Sequence, residues 1–389
     1  MSPHRKAIAL GTCVLGLAGP ATAAAEPTPL QSSLDATLAQ ARDSAGTPAA
    51  TGAVIRCGQL LWSGAAGVMD LDSQRPATPR TLFTSASTGK PITAALVLDL
   101  VERHKLSLST RLSRFYPHLP NARRITVRML LDHTSGLSEY FDDPRIVKIF
   151  NGQPTHHWTR GEVIRAITRS RFAPGTRYAY TNSNYVVLGG IVEKVTRRPI
   201  ERVFQARIAA RAGMADSTMD YRPQRSTLFA HPYISQHGKL QDLFVRGVGI
   251  SADYWGPVWT DGGLASTAQD MARFGDALFE GRLLHAATVR TMTRVVRSRY
   301  GLGVVSLRYA GRTWHGHDGA YVGYSAQIWN DHARGVTIFD FTNSDGSSVP
   351  VWRQLVAAYD RAGPRGACPN RPSATSVARA KARSTRRRP

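Results

Sequence analysis

The chain has 389 residues, 42% of them hydrophobic and 20% charged, with a formal net charge of +23. That is ordinary globular material, enough for one large domain or two lobes, and it excludes a wholly disordered or fibrous protein. The charge is uneven: residues 361–389 hold eight arginines and one lysine with no acid, and residues 1–25 hold two more cations, which leaves +12 for residues 26–360. This remainder is mostly arginine scattered through the body, with no basic stripe interleaved with aromatics, so nucleic acid is not an expected partner. Arginine outnumbers lysine 43 to 7, which reads as a compositional bias.

In chain order, residues 1–25 combine Arg5 and Lys6, an apolar run from Ala7 to Leu17 and a small-residue site at Ala21-Thr22-Ala23 or Ala23-Ala24-Ala25. This predicts a signal peptide and export to the periplasm or beyond. The run before Cys13 is short and Thr12 sits beside the cysteine, which argues against a lipid-attachment site there. No later stretch reaches 18 apolar residues, so no transmembrane segment is expected. Ala53–Arg56 and Leu60–Val68, split by Cys57-Gly58-Gln59, predict a hairpin. Residues 87–104 carry Ile92, Leu96 and Leu100, with Val97 and Val101 beside them, at the i, i+4 spacing of a largely buried helix.

From about 111 to 285 the signals are helical, with capping boxes at Thr159-x-x-Glu162 and Ser266-x-x-Gln269 and a helix from Pro199 to about Gly213. Leu302–Val305, Thr313–Trp314, Tyr324–Trp329 and Val336–Phe341 return to strand character before a helix at about 349–361. The expected fold is therefore α+β, an α/β sandwich: an antiparallel sheet formed by both chain ends, flanked by helices, with an inserted, mainly helical lobe. The expected organisation is a leader at 1–25, one domain at 26–362 and a basic disordered tail at 363–389, suited to anionic cell-envelope polymers. An oxidising compartment would allow Cys57 and Cys368 to pair. Neither cysteine stands at metal-ligand spacing from another Cys or His, so no metal or cofactor is expected.

The chemistry concentrates at Ser87-Thr88-Gly89-Lys90. With so few lysines, Ser-x-x-Lys is expected by chance only about half a time in a chain of this composition. At the start of a helix the i, i+3 spacing lays the Lys90 amine beside the Ser87 hydroxyl, where the helix amino end adds positive potential. A serine needs such a base to become a nucleophile at neutral pH. The bland reading is an N-cap serine followed by a solvated lysine. A phosphate-binding loop is excluded, because Pro91 stands where a magnesium-binding hydroxyl is required. No Gly-x-Ser-x-Gly is present, and Ser135 beside His133 reads as a turn residue.

With Tyr180-Thr181-Asn182 and His317-Asp318-Gly319 following in order, the chain resembles the serine β-lactamase and penicillin-recognising DD-peptidase superfamily, over most of residues 35–362. Lesser landmarks agree, among them Leu130-Leu131-Asp132-His133-Thr134-Ser135-Gly136-Leu137 and Gly262-Gly263-Leu264-Ala265-Ser266-Thr267. The resemblance implies Ser87 as the acylated nucleophile, Lys90 as its base or proton relay and Tyr180 as the leaving-group acid. It also implies that Asn182 and the His317–Gly319 strand hold substrate, with the N–H groups of Ser87 and Ala320 as oxyanion hole. Cations around Tyr180 are expected to favour its phenolate.

The implied activity is that of an exported serine acyl hydrolase, first a D-Ala-D-Ala carboxypeptidase-like peptidase acting on peptidoglycan peptides. An esterase or amidase on small molecules stands almost level. A neutral histidine in the third motif argues against efficient β-lactam hydrolysis. Asp318 would repel a terminal carboxylate unless an arginine such as Arg297 or Arg299 compensates. Trp255 and Trp259 are candidates for an apolar subsite or for the core. A non-catalytic envelope-binding protein is the alternative from a different class.

Overall fold

The computed structural model describes residues 26–153, 156–219, 227–244, 256–344, 350–366 and 368. The leader, Cys13, Trp255 and residues 369–389 of the basic tail lie outside the described residues.

The apolar runs near both ends of the chain form one seven-stranded sheet. Its strands are β1 (Ala49–Arg56), β2 (Gln59–Asp70), β3 (Arg75–Pro76), β4 (Val305–Tyr309), β5 (Arg312–Tyr321), β6 (Tyr324–Asp331) and β7 (Val336–Thr342). Their order is β3-β2-β1-β7-β6-β5-β4, every pair antiparallel. β1 and β7, the first and last long strands in sequence, therefore pair at the centre, with Ala53 opposite Phe339. Both are buried on both faces, which is why they read as continuous apolar runs.

One face is covered by α1 (Pro29–Ala45) and α6 (Val351–Ala362), which close a core of Leu34, Leu38, Val54, Trp62, Trp314 and Trp352. α5 (Ala268–Phe279) covers the other face and joins the larger core of the inserted lobe. The expected sandwich of an end-to-end sheet and an inserted lobe is thus the observed architecture.

The details differ where local rules compete. α1 went unanticipated, although a capping box of Thr28 and Gln31, Pro29 in the first turn and left-handed Gly46 at its end define it fully. The strand expected at 302–305 begins only at Val305, because the Gly301 N–H donates forward to the Val304 carbonyl in a tight turn and the Leu302 N–H donates to the Met292 carbonyl of the preceding helix. Thr267 rather than Ser266 caps α5. The inserted lobe also contains a two-stranded hairpin, Tyr233–Gln236 with Lys239–Asp242. No helix among the described residues is long and apolar enough to cross a membrane.

Cys57, at the β1–β2 turn, is disulfide-bonded to Cys368, with the Cα atoms 5.7 Å apart. The Arg56 guanidinium donates to the Gly366 carbonyl beside it. The stretch read as tail is therefore tied to the sheet at its start. A side chain at Gly335 would meet Cys368 Sγ at 2.6 Å, so the β6–β7 turn needs glycine there both for its positive φ and for space. Closing so long a loop is worth roughly 2–5 kcal/mol. Cys57→Ser is expected to lower the melting temperature by about 5–10 °C while leaving turnover intact, and an unchanged melting temperature would show the bridge to be energetically idle.

Candidate active site

The hydroxyl of Ser87 lies where three segments far apart in sequence converge. Residues Ala86–Gly89 form a tight 3-10 turn that runs into α2 (Lys90–Glu102), so Ser87 precedes the α-helix proper by one turn. Ala86 has φ +45°, a left-handed value that a non-glycine residue avoids. It is locked by packing, since a side chain at Gly262 would meet the Ala86 backbone at 2.8 Å. Strain of this kind is kept only where surrounding contacts over-determine it.

Lys90 is fully buried. Its Nζ lies 2.9 Å from Ser87 Oγ, 2.8 Å from Asn182 Oδ1 and 2.7 Å from the Asp261 carbonyl oxygen. The last two can only accept, so they take two of the amine's hydrogens. In the neutral amine the remaining lone pair then points at the Ser87 hydroxyl. Burial pulls the Lys90 pKa down to about 8, partly opposed by the carboxylates of Asp261, Glu139 and Asp318.

Asn182 stands at the N-cap of α3 (Ser183–Thr196) but does not cap it with its side chain, which goes to Lys90 instead. Its backbone N–H donates to Glu139 Oε2 at 2.7 Å. Tyr180, two residues earlier, donates its hydroxyl to Ser87 Oγ at 2.9 Å, although the residue as a whole is 36% exposed. The expectation that Tyr180 leans toward phenolate is overturned. Burial, joined by Asp261, Asp318 and Glu139, pushes its pKa well above the usual tyrosine value, so it is a proton donor.

β5 supplies the third segment. His317 is buried and bonded to the Tyr300 hydroxyl at 3.0 Å. Its Nδ1 faces the Asp318 carbonyl, which can only accept, so Nδ1 carries the proton and Nε2 receives the Tyr300 hydroxyl. Burial and Lys90 pull the His317 pKa down to about 4, which leaves the ring neutral at pH 7. Its ring lies 6.2 Å from that of Tyr180.

Gly319 packs directly on the Ser87 turn, since a side chain there would meet Ser87 N at 2.6 Å. Ala320 joins Ser87, Asn182, Phe141 and Asp261 around a cavity of about 220 Å³. All seven candidate residues are thus assembled. Ser87, Lys90, Tyr180 and Asn182 are hydrogen-bonded together, Ala320 lines the cavity, Gly319 packs on the Ser87 turn, and His317 stands one ring behind Tyr180.

Other expectations resolve as follows. Ser135 bonds Asn184 Oδ1 and the Leu137 N–H, a turn role. His133, behind Tyr180 at 4.4 Å between rings, is buried and held neutral. Trp259 lies under the Arg160 guanidinium at 4.3 Å and does not line the cavity at Ser87. Arg297 donates to the Thr176 carbonyl, and neither it nor Arg299 lines that cavity.

Sequence reasoning missed Glu139, Asp261 and Tyr300 as partners of the site. The only signal for Glu139 and Asp261 was adjacency to the landmarks at 130–137 and 262–267.

The sequence profile of the Beta-lactamase family matches residues 34–361. The chain belongs to the beta-lactamase family. Among its relatives, a D-aminopeptidase of Cereibacter sphaeroides is 26% identical over 334 residues, covering 83% of this chain and 62% of that protein. Esterase EstB of Burkholderia gladioli is 33% identical over 218 residues, 52% of this chain and 55% of the esterase. The chain thus spans about three fifths of the length of the curated relatives it matches. In fold it is similar to the D-amino acid amidase of Ochrobactrum anthropi SV3, with a TM-score of 0.72 at 22% identity over 85% of this chain and 99% of the amidase. This beta-lactamase-family chain therefore has relatives that carry the names of a peptidase and an esterase.

Proposed function

We propose that the protein is an exported serine acyl hydrolase working through an acyl-enzyme on Ser87. The observation that carries this reading is the double contact of Ser87 Oγ, 2.9 Å from a buried amine on one side and 2.9 Å from a tyrosine hydroxyl on the other. Lys90 takes the Ser87 proton as Oγ attacks a carbonyl carbon. The resulting oxyanion falls to the N–H groups of Ser87 and Ala320. Tyr180 hands a proton to the departing nitrogen or oxygen, and Lys90 restores it. Water then cleaves the ester by the same route in reverse. The apolar leader and the Cys57–Cys368 bridge both support export to an oxidising compartment.

For substrate, three carboxyl groups bear on Lys90 and Tyr180: Asp261 and Glu139, whose own pKa values burial pushes up, and Asp318, which lies on the exposed face of β5 and is the one open to a ligand. His317 is neutral, and the arginines that would compensate do not line the cavity. These surroundings favour an amide, peptide or ester with an ammonium near the scissile carbonyl, as in an aminopeptidase or amino-acid amidase. They disfavour a free terminal carboxylate, and so the D-Ala-D-Ala carboxypeptidase reading.

The test is turnover of a D-amino-acid p-nitroanilide with a free amine, of its N-acetyl analogue, and of a D-Ala-D-Ala peptide. Asp318→Asn is expected to lower kcat/KM for the free-amine substrate about tenfold, the scale of one charge-assisted contact, and to leave the N-acetyl analogue unchanged. Preference for the carboxylate-ended peptide, undiminished in this variant, would restore the carboxypeptidase reading.

A further inference from the structure

α2 and α3 both begin at the site and run away from it. Thirteen and fourteen residues long, their far ends lie on the order of 20 Å from Ser87. Between those ends, with α4 (Ile200–Phe204) and the turn after it, is a groove of about 480 Å³. Five of its twelve lining residues are cations, Arg103, Lys105, Arg198, Arg202 and Arg207, against one acid, Asp99. Lysine and arginine make up only 50 of the 389 residues, so the groove is enriched well beyond the basic bias of the chain.

Asp99 is committed to Arg207, at 2.6 and 3.1 Å, with Arg103 and Arg211 further off at 3.7 and 3.8 Å. Lys105, Arg198 and Arg202 are exposed and have no carboxylate within 4.0 Å among the described residues. The carboxyl ends of α2 and α3 attract cations on their own account, which explains one or two of them. It does not explain three charges without a carboxylate partner among the described residues around one concave surface, whose summed potential attracts an anion. The floor is aliphatic, with Leu96, Leu100 and Val203, and no lining side chain is aromatic. A nucleic acid would find no stacking platform there.

We propose that this groove binds a phosphodiester polymer built on a polyol backbone, holding the enzyme on an anionic envelope matrix independently of its chemistry. The occupant is chosen by charge complementarity with five lining cations, which one phosphate could not meet together, and by the absence of aromatics. The basic segment 369–389 would add affinity without being the site.

The test measures binding of the full-length mature chain to poly(glycerol phosphate) at a series of salt concentrations. Its companions are K105Q/R198Q/R202Q, a variant ending at Cys368, a neutral glucan, a single-stranded oligonucleotide and inorganic phosphate. The triple variant is expected to bind the polymer at least tenfold more weakly. Its salt slope should fall by about 2, since each lost phosphate contact removes ~0.7. Its turnover of a small ester should stay within twofold of the parent, which also shows that it is folded.

Undiminished binding by the triple variant overturns the proposal. So does a loss reproduced entirely by ending the chain at Cys368, or tighter binding of the oligonucleotide or glucan. Competition by inorganic phosphate equal to the polymer's, phosphate for phosphate, overturns the polymeric occupant.

Discussion

Ser87→Ala is expected to reduce kcat by a factor on the order of 10⁶, the loss seen when a serine nucleophile is removed from a cooperating catalytic set. The reasoning rests on connectivity. Ser87 Oγ is the atom shared by Lys90 Nζ and Tyr180 Oη, so removing it leaves the base and the acid with no reacting atom between them. The fold should survive, because Ser87 is half-buried and the turn is held by backbone contacts at Ala86, Gly262 and Gly319. A variant that melts like the parent yet keeps more than about 1% of its rate would show that the nucleophile is elsewhere.

Lys90→Met is expected to lower kcat/KM by about 10³-fold or more, within the range of a lost general base. Lys90→Arg should do no better, since a guanidinium stays protonated and cannot accept the proton. The pH profile gives the same assignment without mutation. The Lys90 pKa is pulled down to about 8, and only the neutral amine is a base. Below pH 8 the ammonium predominates and kcat/KM should fall tenfold per pH unit, while above it the rate should level off. His317, neutral above about pH 4, would contribute no inflection near 6 to 7. A limb centred there instead would assign the base to another group. Stability should respond less than activity in Lys90→Met: a buried amine is removed, but Asn182 Oδ1 and the Asp261 carbonyl lose a donor.

The Ser87–Lys90 pair is legible from residues alone because it is local, while Tyr180, Asn182 and the His317–Ala320 strand came from the family resemblance of their motifs. Ser87 and Lys90 are bound by helical spacing, and Tyr180 and Asn182 stand at the mouth of the next long helix; chain order did the rest. The sheet was legible for a local reason too, since β1 and β7 are buried on both faces and read as mainly apolar runs. What escaped is long-range. Glu139 bonds the Asn182 N–H across 43 residues, and Asp261 gives Lys90 a backbone oxygen, which no side-chain pattern encodes. The error about Tyr180 has the same root. The carried-over site placed cations around Tyr180, whereas the fold buries it and brings Asp261, Asp318 and Glu139 to it. The strain at Ala86 is likewise invisible in sequence, because it exists only once Gly262 and Gly319 press against the turn.

The central claim is that one alcohol, Ser87, is activated by the amine beside it. The most direct measurement is peptide mass spectrometry after treating the folded protein with a fluorophosphonate at pH 8. The account predicts a single adduct on the peptide that carries Ser87, absent from Ser87→Ala and formed much more slowly in Lys90→Met. An adduct on another residue, or a folded protein whose Ser87 remains unmodified at long times, would contradict it.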